Sequence, residues 1–106
     1  MSNSRTYSPI SPAQFQTLQG GLVSRLQQGG AQNIAYSGGN PGTVSFQANV
    51  PSSDGKFAFN YNYSAQTQSL YVQITNSPWM ISNDTILDAV GKQINAMVGE
   101  PAPAVV

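Results

Sequence analysis

The stretch from position 57 to 63 reads F-A-F-N-Y-N-Y, with an aromatic ring at every second residue. Successive side chains of a β-strand point to opposite faces, so this segment predicts a strand with one aromatic face and one small or polar face. We expect the rings to fill a core rather than to grip a ligand. The tyrosine hydroxyls would then need partners at the rim of that core. The four rings are Phe57, Phe59, Tyr61 and Tyr63.

The same period of two occurs in three neighbouring segments, which predicts a sheet. Strands are expected around 34–36, 44–50, 57–63 and 70–75, separated by turns rich in Gly, Pro, Ser and Asn. Short connections favour antiparallel neighbours, so the simplest arrangement is a four-stranded meander. Its last strand, Q-S-L-Y-V-Q-I-T, would be an edge without charge or proline. Such an edge invites a homodimer or a partner strand added at this position.

Two amphipathic helices flank the predicted strands. Ser11-Pro12-Ala13-Gln14 is typical of a capped helix start, and Gly29-Gly30 of a helix end, so a helix is expected over about 12–28. Ser82 is the expected N-cap of the second helix. Its apolar stripe contains Ile86, Val90, Ile94 and Met97. The predicted fold is therefore α+β in the order α-β-β-β-β-α, with both helices packed on one face of the sheet.

The chain length of 106 residues fits one domain. We predict a disordered N-terminal segment over 1–8, a single α+β domain over 9–99 and a disordered tail over 100–106. No basic start followed by an apolar run is present, so we expect no signal peptide. The default location is cytoplasmic, and export without a cleaved signal is left open. No segment approaches the roughly 18 apolar residues of a membrane span.

The composition argues against several functions. Charged residues make up 8% of the chain, the formal net charge is zero, and His and Cys are absent. A neutral surface does not attract nucleic acid or an anionic membrane, so neither is expected as a partner. Without His or Cys, thiol chemistry is excluded and the commonest metal ligand is missing, so no metal and no cofactor is expected.

The carboxylates are predicted to be structural rather than catalytic. Asp84 belongs to the first turn of the second helix, where the helix dipole favours a negative charge, and Asp88 is spaced for an ion pair with Lys92. Asp54 precedes a glycine in a turn. No phosphate-binding or dinucleotide-binding glycine motif is present. The sequence thus predicts no catalytic residue, and we expect that the protein is not an enzyme.

Two features could bind a partner or a ligand. The outer sheet face consists of neutral hydrogen-bonding groups, which suit a protein or a carbohydrate, although a solvated face is the simpler interpretation. Trp79, beside Pro78 and Met80, could line a cleft between the sheet and the second helix, although we favour a plug that closes one end of the core. The candidate interaction surface is Asn60, Asn62, Tyr71, Gln73 and Trp79.

The segment 57–94 resembles a group of short uncharacterised bacterial proteins. The resemblance is carried by the aromatic hairpin, the S-P-W-M-I corner and the helix I-L-D-A-V-G-K-Q-I. The overall plan is also similar to that of small Burkholderia-type antigens. Neither resemblance implies an activity or a functional residue. The expected function is a small, non-enzymatic bacterial interaction or accessory protein, and the alternative is a module that binds a small ligand or a carbohydrate.

Overall fold

The structure, a computed structural model, describes residues 3–50, 54–98 and 104–105. It contains two helices and six strands in the described ranges. In chain order they are β1 (Ser4–Tyr7), α1 (Pro12–Gln28), β2 (Gln32–Tyr36), β3 (Gly42–Gln47), β4 (Lys56–Ser64), β5 (Ser69–Asn76), α2 (Asn83–Val98) and β6 (Ala104–Val105).

The strands form one antiparallel sheet in the order β2-β3-β4-β5-β1-β6. The α+β class is confirmed, and the four predicted strands are consecutive neighbours β2 to β5. The prediction of four strands is too low, because β1 and the two-residue β6 extend the sheet beyond β5. Residues of both helices share one core with the inward side chains of the sheet, so the helices lie over the same face.

β1 falls in the segment that was predicted to be disordered, and for residues 4–7 that prediction is wrong. Tyr7 is fully buried, and its hydroxyl donates a hydrogen bond to the main-chain oxygen of Leu87 in α2. Its ring packs so closely against Gly91 that a Cβ there would lie 3.1 Å from the ring edge. The strand is therefore fixed by contacts about 80 positions away in the chain, which local sequence patterns do not reveal.

The position of β5 corrects a second prediction. β5 was expected to be a free edge, but it pairs with β4 on one side and with β1 on the other. Tyr71, for example, lies between Asn62 and Thr6. The predicted partner strand or homodimer contact at this edge therefore has no free backbone to pair with. Within the predicted tail, residues 104–105 pair with β1, and the rest of the tail lies outside the described residues.

Both helices begin as predicted. The Ser11 hydroxyl accepts a hydrogen bond from the Gln14 amide (3.1 Å), and the Gln14 side chain accepts one from the Ser11 amide (2.9 Å), which forms a capping box. The helix over 12–28 is confirmed, and it runs through Gly20 and Gly21. At the second helix, the Ser82 hydroxyl accepts a hydrogen bond from the Thr85 amide at 3.1 Å.

The aromatic rings of β4 lie in the core, as expected. Phe59, Tyr61 and Tyr63 are buried, and Phe57 is half-buried. The Tyr63 hydroxyl donates to the main-chain oxygen of Ile10, and the Tyr61 hydroxyl donates to that of Gly39. Both acceptors lie in connecting segments at the margin of the sheet, which satisfies the buried hydroxyl groups.

Candidate functional site

The helices do not close completely onto the sheet, and the gap between them is a cavity of about 460 Å³. Its walls are almost entirely carbon, and it is partly open to solvent. The lining residues come from α1, α2, the inward positions of β2 to β5 and the segments that follow β3 and β5. The apolar lining includes Leu18, Leu22, Leu26, Val44, Phe46, Phe57, Phe59, Val72, Ile86, Val90, Ile94 and Met97.

Each helix is attached to the sheet by an aromatic contact, and both contacts lie at the same end of the strands. On α1, Phe15 stacks on Tyr63 with the ring centroids 4.3 Å apart. On α2, Leu87 and Gly91 receive Tyr7 of β1. Six residues along β4 from Tyr63, Phe57 stacks on Phe46 at 5.3 Å, and both rings remain half-buried. This end of the sheet therefore keeps an apolar surface that neither helix covers fully.

One end of the cavity carries hydroxyl and amide groups. The hydroxyl oxygens of Tyr36 and Tyr61 lie 3.4 Å apart, and Tyr61 also bonds Gly39 in the β2–β3 loop. The Gln19 side chain donates to the main-chain oxygens of Gly38 and Gly39, each at 3.4 Å. Burial, together with the Tyr61 hydroxyl, raises the pKa of Tyr36 well above its ordinary value. These hydroxyl and amide groups bond to one another or to the loop, so this end of the cavity is polar and carries no carboxylate, lysine or arginine.

The β2–β3 loop is held in place over this end by Asn40. Its side-chain amide donates to the main-chain oxygen of Tyr63 at 3.0 Å and accepts from the Tyr63 amide at 2.9 Å. Gly42, which follows the loop, faces the ring of Tyr61 so closely that any side chain would overlap it. The glycine-rich loop is thus a hairpin connection that supports the wall of the cavity, in agreement with the prediction from its sequence.

Next to the other end lies a second cavity of about 380 Å³, beside the last turns of α1. Arg25 lines this cavity, and its Nε donates to the Oε1 of Gln93 on α2 at 2.7 Å. Gln93 lines both cavities. Arg25 is the only charged residue among the described residues that line either one.

The opening of the main cavity runs along one edge of α2. Thr85, Ala89 and Gln93 follow one another at intervals of one turn, and all three are both exposed and part of the lining. A residue that has both properties borders the mouth of a cavity. A ligand could therefore enter beside this edge without the sheet having to separate.

The sequence-predicted interaction surface is only partly assembled. Asn60 faces Gln73 and Asn62 faces Tyr71 across the β4–β5 ladder, so these four residues form two adjacent rows on the outer face. Trp79 lies in the loop before α2 and is 86% exposed. The plug interpretation of Trp79 is therefore wrong, and Trp79 does not line either cavity.

Its neighbours perform the role that was predicted for Trp79. Pro78 is buried, and Ile81 is half-buried and lines the main cavity. The corner between β5 and α2 thus closes the core with Pro78 and Ile81, and it leaves the indole in solvent. The amide of Ile81 also bonds to the main-chain oxygen of Pro78 at 3.2 Å, which fixes this corner.

The predicted structural role of the helical carboxylates is supported, but the partner is different. Asp84 and Asp88 both contact the guanidinium of Arg5 in β1, whose side chain is only 11% exposed. The guanidinium of Arg5 donates a hydrogen bond to Asp88, and this bond is the main reason why the pKa of Arg5 is raised. The pair expected between Asp88 and Lys92 is not among the ion pairs of the described residues. The carboxylates thus attach α2 to β1.

Sequence reasoning identified the lining residues only as core. The helical stripes and the inward strand positions predict which faces meet, but they do not indicate how far apart the two layers stay. Arg25 was not singled out at all. The signal that could have indicated it is its place between Leu22 and Leu26, beside the apolar stripe of α1.

Comparison with protein-family models, with curated proteins and with solved structures gives no match. The resemblance to short bacterial proteins and to small antigens thus stays a prediction. Within the described residues, no helix is both long and apolar enough to cross a membrane. The same part of the chain brings together no group of three or more residues of the types His, Cys, Asp or Glu that could hold a metal ion.

Proposed function

We propose that this protein is a non-enzymatic binding protein for a small apolar ligand, which occupies the cavity between the helices and the sheet. The observation that supports this most directly is the cavity itself, about 460 Å³ with walls of carbon. Its volume falls in the range of about 300–1,000 Å³ that is typical of small-molecule sites. This function is the ligand-binding alternative of the sequence analysis, with its site moved from the Trp79 corner to the interior.

Filling such a space with water is unfavourable in free energy. A cavity of this volume holds roughly 15 water molecules at about 30 Å³ each. Water beside carbon walls loses hydrogen-bond partners, because few lining residues, such as Tyr36, Thr85 and Gln93, carry a polar side chain that could bond to it. An apolar ligand would replace that water and gain about 0.8 kcal/mol for each buried methylene group.

The lining supports binding without chemistry. The polar groups that reach the two cavities are hydroxyls and amides, together with the guanidinium of Arg25. Neither a carboxylate nor an imidazole occurs among the described residues of either lining, so the commonest general acids and bases are missing there. A cytoplasmic location, predicted from the sequence, stays part of this proposal.

The proposal is tested by titration with N-phenyl-1-naphthylamine, a neutral apolar fluorophore. We expect saturable binding with one site per chain. Ala89→Trp should weaken it by at least about tenfold, or about 1.4 kcal/mol, because the indole would fill the mouth of the cavity. The matched control is Ala96→Trp: Ala96 is also exposed on α2 but lines neither cavity. Fluorophore binding that does not saturate would contradict the proposal. Equal weakening of that binding by Ala89→Trp and Ala96→Trp would contradict it as well.

A second candidate is interaction with another protein, the function that was favoured from the sequence. The observation in its favour is the 86% exposure of Trp79, since an exposed tryptophan is a common interaction residue. The surface would combine Trp79 with the outer-face rows of Asn60, Asn62, Tyr71 and Gln73.

The same titration separates the two candidates. Trp79→Ala should leave fluorophore affinity unchanged, because Trp79 does not line the cavity, and it should weaken only a protein partner. The carbohydrate alternative on the outer face stays a prediction.

A further inference from the structure

We infer that the ligand is an amphipathic carboxylate, with its head group on Arg25 and its apolar tail in the main cavity. This inference rests on the proposed function and specifies the class of ligand. The relevant structural feature is the junction between the two cavities. Six residues line both of them, so the space beside Arg25 adjoins the apolar cavity. They are Leu22, Leu26, Phe46, Ala48, Gln93 and Met97.

The charge of Arg25 is not balanced within the described part of the chain. Arg5 contacts two carboxylates, whereas no described Asp or Glu lies within 4.0 Å of Arg25. Lys56 and Lys92 are exposed, as is usual for lysine, and line neither cavity. Arg25 instead is half-buried and lines the second cavity, which adjoins the apolar main cavity. A partly desolvated guanidinium without a counter-ion is well suited to bind an anion.

The orientation of Arg25 leaves its binding edge available. The hydrogen bond from Nε to Gln93 Oε1 fixes the guanidinium between α1 and α2. In the described residues no group accepts a hydrogen bond from its two terminal nitrogens. These two nitrogens form a planar pair of donors that matches the two oxygens of a carboxylate. Arg25 also lies in the last turn of α1, where the helix dipole favours a cation. The dipole would favour a solvent-facing cation equally, so it does not explain why Arg25 lines a cavity.

The opposite end of the cavity is less suited to an anion. Tyr36, Tyr61 and Gln19 are already bonded to one another or to the β2–β3 loop, and none of them is charged. Tyr61 lies four residues along the sheet from the Phe46–Phe57 pair, or roughly 13 Å at about 3.3 Å per residue. An extended chain with its head at Arg25 would therefore run along the phenylalanine rings toward the tyrosine end.

The test compares two probes with the same tail, dodecanoate and dodecanol, each titrated below its aggregation limit into the full-length protein. We expect dodecanoate to bind at least about tenfold more tightly, and the difference to shrink as salt is added. Arg25→Gln should abolish this preference while the affinity for dodecanol stays within about twofold. Arg25→Lys, which keeps the charge but loses the planar donor pair, should retain part of it.

The matched control is Lys92→Gln, which removes one positive charge from the exposed side of α2 and should retain the full preference. Equal affinities for the two probes in the natural protein would overturn the inference and leave the proposed function intact. A preference that survives in Arg25→Gln, or that is lost equally in Lys92→Gln, would also overturn it. Absence of binding of both probes would overturn the proposed function as well.

Discussion

Tyr7 is the residue that attaches the first strand to the core. Tyr7 is fully buried between the sheet and α2, and its hydroxyl bonds to Leu87. Burial raises the pKa of Tyr7 to about 12, because the low-polarity surroundings disfavour the phenolate. Arg5 opposes this shift, since its positive charge favours the phenolate. The net effect is that the folded protein holds Tyr7 in its neutral form.

The first prediction concerns the Tyr7 hydroxyl. Tyr7→Phe should lower the free energy of unfolding at pH 7 by about 1 kcal/mol, because it removes the buried hydrogen bond to the Leu87 carbonyl. In the natural protein the folded-state pKa lies above the unfolded value of about 10. The contribution of Tyr7 is therefore fully present below pH 10 and is lost as the pH rises from 10 to 12. Urea unfolding across this range measures both effects.

The variant should lose stability less steeply than the natural protein above pH 10. Tyr63, whose pKa is also raised by burial, contributes to the decline in both proteins and does not affect the comparison. Tyr71→Phe is the matched control, since Tyr71 is 40% exposed on the outer face, and it should change neither the stability at pH 7 nor the slope. If Tyr7→Phe and Tyr71→Phe behave alike, Tyr7 does not fix β1.

At the scale of elements, α1 illustrates how a local weakness is tolerated. Gly20 and Gly21 lie in the middle of a 17-residue helix that continues through both. A Cβ at position 20 would meet nothing within 4 Å, whereas one at position 21 would lie 3.2 Å from the terminal methyl group of Met97 in α2. Gly21 therefore allows the two helices to approach each other, and Gly20 has no such role.

The second prediction follows from this difference. Gly20→Ala should raise the free energy of unfolding by about 1 kcal/mol, because alanine has the higher helix propensity and the site is open. Gly21→Ala should gain less, since Met97 must move, and the vacant space available to it is the cavity that it lines. Thermal or urea unfolding of the two variants measures the gain. Equal gains would show that α1 and α2 do not pack closely at Gly21.

Elements with strong local signals were predictable, and those held by distant contacts were not. The cap at Ser11, the stripe of α2 and the alternation in β4 each specify an element within a few residues of sequence. β1 has only Tyr7 as a buried apolar residue, and it depends on Leu87, Gly91 and Asp88 for its position. The same reason explains why Arg5 was overlooked as the partner of the α2 carboxylates.

At the scale of the whole molecule, the cavity is the feature that sequence reasoning could not supply. Periodicity indicates that Phe46, Phe57 and the apolar stripes of both helices face one another. It does not indicate the separation between the layers, which depends on tertiary contacts such as those of Phe15 with Tyr63 and of Tyr7 with Leu87. A core and a binding cavity use the same residue types in the same pattern, so the distinction depends on tertiary geometry.

The third prediction concerns the sheet as a whole. β1 covers the backbone of β5, including Tyr71 and Gln73, and that strand carries no charge or proline. Removal of residues 1–7 would delete the contacts of Arg5 and Tyr7 with α2 and uncover the β5 edge. We expect the free energy of unfolding to fall by more than about 2 kcal/mol, and the truncated protein to self-associate as its concentration rises.

Sedimentation velocity and urea unfolding would measure these two effects. Removal of residues 1–2 is the control, since it leaves β1 intact. It should change neither the free energy of unfolding nor the self-association. Gln73→Lys in the truncated chain should reduce association without restoring stability, because a charge beside an open strand edge opposes pairing. A truncated protein that stays monomeric and as stable as the control would mean that β1 is not needed to cover β5. β1 would then contribute neither to the free energy of unfolding nor to preventing self-association.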